Sequence, residues 1–203
     1  NMSNVVLKYA SPHSQPGDIV VMAESVVAVT QHRYLLPEQV QPGWWAKRLC
    51  YLIPNVGSLS TPTGMQSAIN DIGLPRMLAA VKIGALMKLL GKPGWLYRVA
   101  GLPAELIDDL TGTMPPYDKY IVLGPMNPKA VVEDIKIKTG LDAAIADVND
   151  LKRAKIVAAT TGVDISRLER SLVDNPSGNS TEQTPLVLIR YLKQAEKKVE
   201  QKV

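Results

Sequence analysis

A chain of 203 residues and 22.1 kDa, 46% apolar and 21% charged, has the balance of one ordinary folded domain or of two small ones packed closely. That balance excludes intrinsic disorder, a collagen and a disulfide-rich scaffold. The net charge is +4, of which the tail from Arg190 to Val203 supplies +3 (five bases against two acids), so the near-neutral remainder offers no concentrated basic face for nucleic acid.

The single cysteine, Cys50, excludes an internal disulfide and suits a reducing cytoplasm. Its bulky apolar neighbours mark it as packing rather than a nucleophile. No N-terminal signal sequence is read, and Asn1 ahead of Met2 reads as a residue added before the natural start.

The first predicted element follows the turn Pro16-Gly17-Asp18. Residues 19–23, Ile-Val-Val-Met-Ala, form an unbroken apolar run, as a strand buried on both faces does. Residues 24–30 follow without punctuation and either continue the strand or turn into a helix. The polar, proline-bearing stretch 31–43 predicts a loop, and residues 44–53 predict a helix stopped by Pro54. A small-residue loop, 55–64, leads into a short helix over 65–72 that ends at Gly73.

Pro75 then sits in the first turn of a longer helix reaching Leu90, with Gly91 past its end. Its apolar run is too short, and too interrupted by Lys82 and Lys88, to span a bilayer. On a helical wheel Arg76, Lys82 and Lys88 point three separate ways, which speaks against a membrane-surface helix. The expectation is a buried or subunit-facing helix whose lysines snorkel.

Residues 101–116 are a punctuated region holding Glu105, Asp108 and Asp109. Residues 119–124 predict a strand. Asn127-Pro128 opens a helix that Gly140 closes, with Asp134 and Lys138 paired at i,i+4. Residues 143–147 and 155–160 predict two further strands. Asp164 caps a helix with Ile165, Leu168 and Leu172 on one face. A polar loop over 175–183 precedes the last strand, 186–189, and a charged helix over 190–203. The pattern is mixed α/β (α+β), and its second half comes closest to a βαβ unit. It reads as one domain with a helical insertion at about residues 43–116 and a basic C-terminal helix.

The chemistry narrows by elimination. The chain carries no phosphate-binding P-loop, no dinucleotide fingerprint and no G-x-S-x-G elbow, and His13 and His32 with one distant cysteine make no zinc set. Carboxylates remain. Asp108-Asp109 precede the small-residue turn at Thr111, and Asp147, Asn149 and Asp150 sit where a buried strand ends, the edge at which α/β sheets bind ligands. Oxygen ligands from two such loops suit Mg²⁺ or Mn²⁺. The competing reading gives these acids to turns and helix caps. Asn70-Asp71 is a third acid-bearing turn. The loop with Asn179 and Glu182 either lines a polar substrate pocket or is a solvated turn.

Several of these stretches together resemble a known family. Residues 17–27, Gly-Asp-Ile-Val-Val-Met-Ala-Glu-Ser-Val-Val, then Gln31-His32-Arg33, are similar to the opening of the gamma-glutamyl ligases of the deazaflavin coenzyme factor 420, the CofE family. Residues 121–128, the strand ending at Asp147, and residues 184–190 follow in matching order, so the likeness covers roughly two-thirds of the chain by motif order. The resemblance implies a mixed sheet flanked by helices in an intertwined homodimer. It implies an amide ligase using GTP as co-substrate, an acceptor and glutamate as small-molecule substrates, and Mg²⁺ or Mn²⁺ held by aspartates. Asp147 matches the family's strand-end aspartate. The second ligand is Asp71 or Asp109, with Asp108 and Asp150 beside the candidates. Glu24, Ser25, Asn70, Thr111, Asn149, Asn179 and Glu182 are the candidate substrate or nucleotide contacts. Ser25 and Val29 stand where the family carries lysines, and residues 147–153 replace its Asp-Thr-Phe-Gly-Arg-Pro-Trp stretch. These departures leave the acceptor substrate open, and the choice between GTP and ATP is open as well. They also motivate an alternative, a non-catalytic or re-purposed dimeric binding protein of the same fold.

Overall fold

Val20 and Met22 point to one side of the strand Ile19–Ala23 (β1) and Ile19 and Val21 to the other, and all four are buried. A strand alternates its side chains across the sheet, so an unbroken apolar run is stable only with both faces covered. The computed structural model describes residues 1–53, 57–108, 115–149, 153–176, 178 and 184–191. Among them β1 lies inside a four-stranded mixed sheet with Asp142–Asn149 (β4), Arg153–Ala159 (β5) and Leu186–Ile189 (β6), in the order β5-β4-β1-β6. β1 runs parallel to β4, with Ala23 beside Ala146, and antiparallel to β6. β4 and β5 form an antiparallel pair that sets Asp147 opposite Lys155.

One face of this sheet is covered by Met2–Tyr9 (α1), Glu24–Thr30 (α2) and Pro128–Thr139 (α8), which bury Met2, Val6, Val27, Val132 and Ile135 against Val20, Met22, Ala143 and Ile145. The other face is covered by Ile165–Leu172 (α9) through Leu168 and Leu172. Asp164 caps α9 as expected, accepting from the Arg167 amide at 3.0 Å. Ile165 is 47% exposed, so of the three residues expected on its buried face only two are core. At the start of β1, the Arg190 guanidinium donates to both oxygens of buried Asp18, at 2.8 and 2.7 Å. That bidentate pair clamps the end of β6 and holds the Asp18 pKa down to about 2.

A second core is helical. It joins Trp44–Leu49 (α3), Pro62–Ile72 (α4), Leu74–Leu89 (α5), Trp95–Ala100 (α6) and Leu102–Glu105 (α7) around Leu59, Met65, Met77, Ala80 and Ile121. Two glycines permit its close approaches. A Cβ on Gly64 would lie 2.0 Å from the Ser58 carbonyl oxygen, and one on Gly84 would lie 2.9 Å from Leu96 Cβ, where α5 crosses α6. Cys50 is buried here, as its apolar neighbours imply.

The chain is thus mixed α/β, and most elements stand where the sequence puts them. Residues 24–30 are helix. The expected loop 31–43 holds the short strand Tyr34–Leu35 (β2) and a 3₁₀ turn at Pro37–Gln39. Residues 50–52 close the expected helix 44–53 as a 3₁₀ turn. The helix expected over 65–72 begins at Pro62, because the Thr61 hydroxyl caps it by accepting from the Gly64 amide at 3.0 Å. α1, α6 and α7 have no counterpart in the sequence reading. The expected strand 119–124 is reduced to Ile121–Val122 (β3), which pairs with β2 in a separate two-stranded sheet. Residues 119–147 are therefore not a βαβ unit in one sheet. The parallel pair joins β1 and β4, strands from opposite ends of the chain. Asn127 stands at the start of α8 but in the left-handed region (φ 45°), and its side chain makes no capping bond. The expected helix over 190–203 lies outside the described residues beyond Tyr191.

Burial of α5 follows a gradient. Met77, Ala80 and Val81 of its first half are core, whereas Ile83, Leu86, Leu89 and Leu90 face solvent. The buried helix expected from sequence is buried along one side and for half its length.

Candidate functional site

Because β1 and β4 are parallel with Ala23 beside Ala146, their next residues, Glu24 and Asp147, come side by side where the β1–β4 pairing ends, although β4, instead of stopping at Asp147 as the sequence predicts, runs on against β5 to Asn149. Glu24 opens α2 directly after the strand, with no intervening loop. Asp108 approaches from the helical half, fixed by a two-way backbone bridge to Val122 (N···O 2.8 and 2.9 Å) that extends the small sheet. Asp108 and Asp147 are near enough that both oppose ionisation of Glu24. Burial is the larger cause, and together these hold the Glu24 carboxyl in its protonated form well above the usual glutamate range. Glu24 Oε2 is buried with no hydrogen-bond partner. A buried oxygen left unmatched costs stability, so it marks a place where something other than packing set the residue.

Asp147 is half-buried, and its pKa is raised first by burial and then by Glu105, while Lys155 pulls it back. Lys155 faces Asp147 across the β4–β5 ladder, and its ammonium pairs with Glu105 of α7 at 2.6 Å. The sheet half and the helical half thus meet at a seam of four carboxylates (Glu24, Glu105, Asp108 and Asp147) and one lysine.

Other expected site residues fall elsewhere. Asp71 ion-pairs with Arg33 at 2.7 Å, and Arg33 also donates to the Gly124 carbonyl at 2.8 Å. The pair ties α4 to the β2–β3 sheet and is fully accounted for by that role. Of the two candidates for a second ligand, Asp71 is therefore committed to structure. Asn70 accepts from Gln66 at 2.7 Å on the exposed side of α4. Ser25 follows Glu24 on α2. Asn149 ends β4 opposite Arg153, and its side chain lies outside the described residues. Asp109, Thr111, Asp150, Asn179 and Glu182 also lie outside them. A separate cavity of ≈ 490 Å³ opens between α1, α2 and α8, lined by residues such as Val27, Gln31, Met126 and Asp134 and by none of the seam carboxylates.

Glu105 and Lys155 carry weight that the sequence reading did not assign. The signal for Lys155 was the hairpin itself: two strands joined across residues 150–152 set residue 147 against residue 155. Glu105 gave no comparable signal, because its position depends on how α7 docks.

Carboxylate oxygens are the donors that a hard divalent cation takes, although Lys155 already supplies positive charge to this seam. As they stand, no three Asp, Glu, His or Cys side chains among the described residues are grouped closely enough to hold one ion. The chain matches no family model and no curated protein sequence.

Proposed function

We propose that this chain is a nucleotide- and metal-dependent amide ligase of the gamma-glutamyl ligase type. The observation that supports this reading is the gathering of Glu24, Asp108 and Asp147 at the carboxyl edge of the parallel pair β1–β4, where α/β sheets present ligands. Asp147 and Asp108 would be the ligands for Mg²⁺ or Mn²⁺, while the other candidates Asp109 and Asp150 lie outside the described residues. That cation supplies charge compensation for the phosphates of GTP or ATP. Burial and the neighbouring acids favour the protonated form of Glu24, and positive charge arriving beside it would favour the ionised one.

In the proposed reaction the acceptor carboxylate oxygen bonds to the γ-phosphorus and the bond to the nucleoside diphosphate breaks. The amine of glutamate then bonds to the acyl carbon, phosphate leaves, and the amine loses a proton. Glu24, which is not among the proposed ligands, would be the acceptor for that proton, since burial raises its basicity. This chemistry belongs to the cytoplasm, with its nucleotide triphosphates and reduced thiols.

One observation favours the non-catalytic alternative. Lys155 already offsets part of the seam's negative charge, so the acids have an internal counter-ion. One experiment separates the two readings. Phosphate release is measured with GTP or ATP, Mg²⁺ or Mn²⁺, glutamate and a panel of carboxylated acceptors, alongside thermal melting. The ligase reading expects metal-dependent release that falls at least about a hundredfold in Asp147→Asn, the scale of losing a key electrostatic group. Bound ligand at a hundred times its Kd stabilises by about 2.7 kcal/mol, so a melting curve unmoved by any nucleotide or metal, with no phosphate released, leaves the binding-protein reading.

A further inference from the structure

The outward side of α5 is apolar and uncovered. Leu86 is 58% exposed, Leu89 86% and Leu90 64%, and Ile83 joins them. At about 100° per residue these four positions and Lys82 fall within one arc of about 120°, opposite the buried Met77, Ala80 and Val81. A short solvated helix end does not need three leucines on its wet side, and exposed contiguous apolar surface of this kind marks an interaction site.

The charge around it has one sign. Between Asp71 and Glu105 the sequence holds no acid, whereas Arg76, Lys82, Lys88, Lys92 and Arg98 all fall there. Two of these bases are used within the hairpin that α5 and α6 form. Arg76 donates to the Val99 carbonyl at 3.0 Å, and the Arg98 guanidinium lies 5.4 Å from the Trp95 ring centroid. Lys82, Lys88 and Lys92 are exposed: Lys82 lies on the leucine side of the wheel, Lys88 on the opposite side, and Lys92 just past the helix end. With Arg76 assigned to packing, the exposed bases that remain stand on both sides of the hairpin end, an arrangement that suits entry of the tip rather than a helix lying flat on a surface. Gly84 lets α6 press directly on α5, so the leucines are carried on a braced hairpin rather than a lone helix.

We propose that the tip of the α5–α6 hairpin docks on the surface of an anionic lipid bilayer. Leu86, Leu89 and Leu90 enter the boundary between headgroups and acyl chains, and Lys82, Lys88 and Lys92 meet the lipid phosphates. Charge decides between this occupant and a second copy of the chain. A two-fold contact through the same face would bring together two hairpins that each hold five bases and no acid over residues 72–104, whereas an anionic headgroup layer complements those bases. The contact is peripheral, because among the described residues no helix is long and apolar enough to cross a membrane.

Vesicle flotation of the full chain tests the proposal, comparing phosphatidylcholine alone with phosphatidylcholine plus phosphatidylglycerol. The wild-type chain is expected to float with the anionic vesicles at least about tenfold better than with the neutral ones, and less well as salt rises. Leu86→Glu/Leu89→Glu, at two exposed positions, is expected to abolish flotation with an unchanged melting curve. Lys82→Glu/Lys88→Glu is expected to cut it at least about tenfold. Absence of wild-type binding, equal binding to both vesicles, or unchanged binding of the leucine variant overturns the proposal. So does a wild-type dimer in sedimentation that the leucine variant converts to monomer, since the face would then serve a second copy.

Discussion

The sheet half and the helical half of this molecule handle apolar residues differently. In the sheet half each buried strand residue has an assigned face. Val20, Met22 and Ile145 pack under α1, α2 and α8, and Ile19, Val21 and Ala144 under α9. In the helical half the apolar residues exceed what the core absorbs, and α5 carries the surplus outward at Leu86, Leu89 and Leu90. The charges divide in a related way. Four carboxylates gather where the halves meet, whereas the hairpin from α5 to α6 carries only bases. A strand pair leaves little freedom about which side a residue faces. A helix packed on one stripe leaves the other free for a partner.

The largest test of the division uses one fully buried residue from each core. Leu168→Ala in α9 and Met65→Ala in α4 are each expected to cost about 2–5 kcal/mol in denaturant titrations. If the cores are independent, the double variant loses the sum within about 0.5 kcal/mol. A larger departure would show that the two halves form one cooperative core.

A smaller effect reads the seam. Glu24 has a raised folded-state pKa, so the folded protein holds its proton where the unfolded chain has lost it. Stability from this group is therefore greatest below the ordinary glutamate range and falls as pH rises through the Glu24 value. Glu24→Gln removes that decline, because the amide side chain is neutral at every pH. A rise in Tm of about 2–4 °C at pH 8, corresponding to about 1 kcal/mol in a domain of this size, and none at pH 4 is expected. Equal Tm changes at both pH values would mean that neither burial nor repulsion from Asp108 and Asp147 raises the Glu24 pKa.

The smallest expected effect belongs to the wet face of α8. Lys138 pairs with Asp134 at 2.7 Å with both side chains well exposed. Lys138→Ala is expected to cost about 0.3–0.5 kcal/mol at low salt and nothing measurable at high salt. A cost above 1 kcal/mol would mean that α8 depends on its surface charges as well as on Val132 and Ile135.

Period and punctuation in the sequence set much of the architecture. The doubly covered strand at residues 19–23 follows from its unbroken apolar run, the start of α8 from Asn127-Pro128, and the end of α5 from Gly91. Asp147 was legible as an acid near a strand end, although β4 runs two residues past it to Asn149, and the sequence alone does not say whether Glu24 continues β1 or opens a helix. What lies between elements was not legible. Whether residues 119–124 pair with β4 or with β2 depends on hydrogen-bond partners far away in the chain, and local propensity carries no record of them. Asp71 and Asp108 look alike in sequence, each an acid at a punctuated turn. Arg33 binds the first into a structural pair, and the bridge to Val122 carries the second to the seam. The exposure of Leu86, Leu89 and Leu90 was hidden for the same reason. A helix apolar on two opposite sides shows no wet face in its sequence, and only the docking of α6 against Gly84 decides which side the solvent sees.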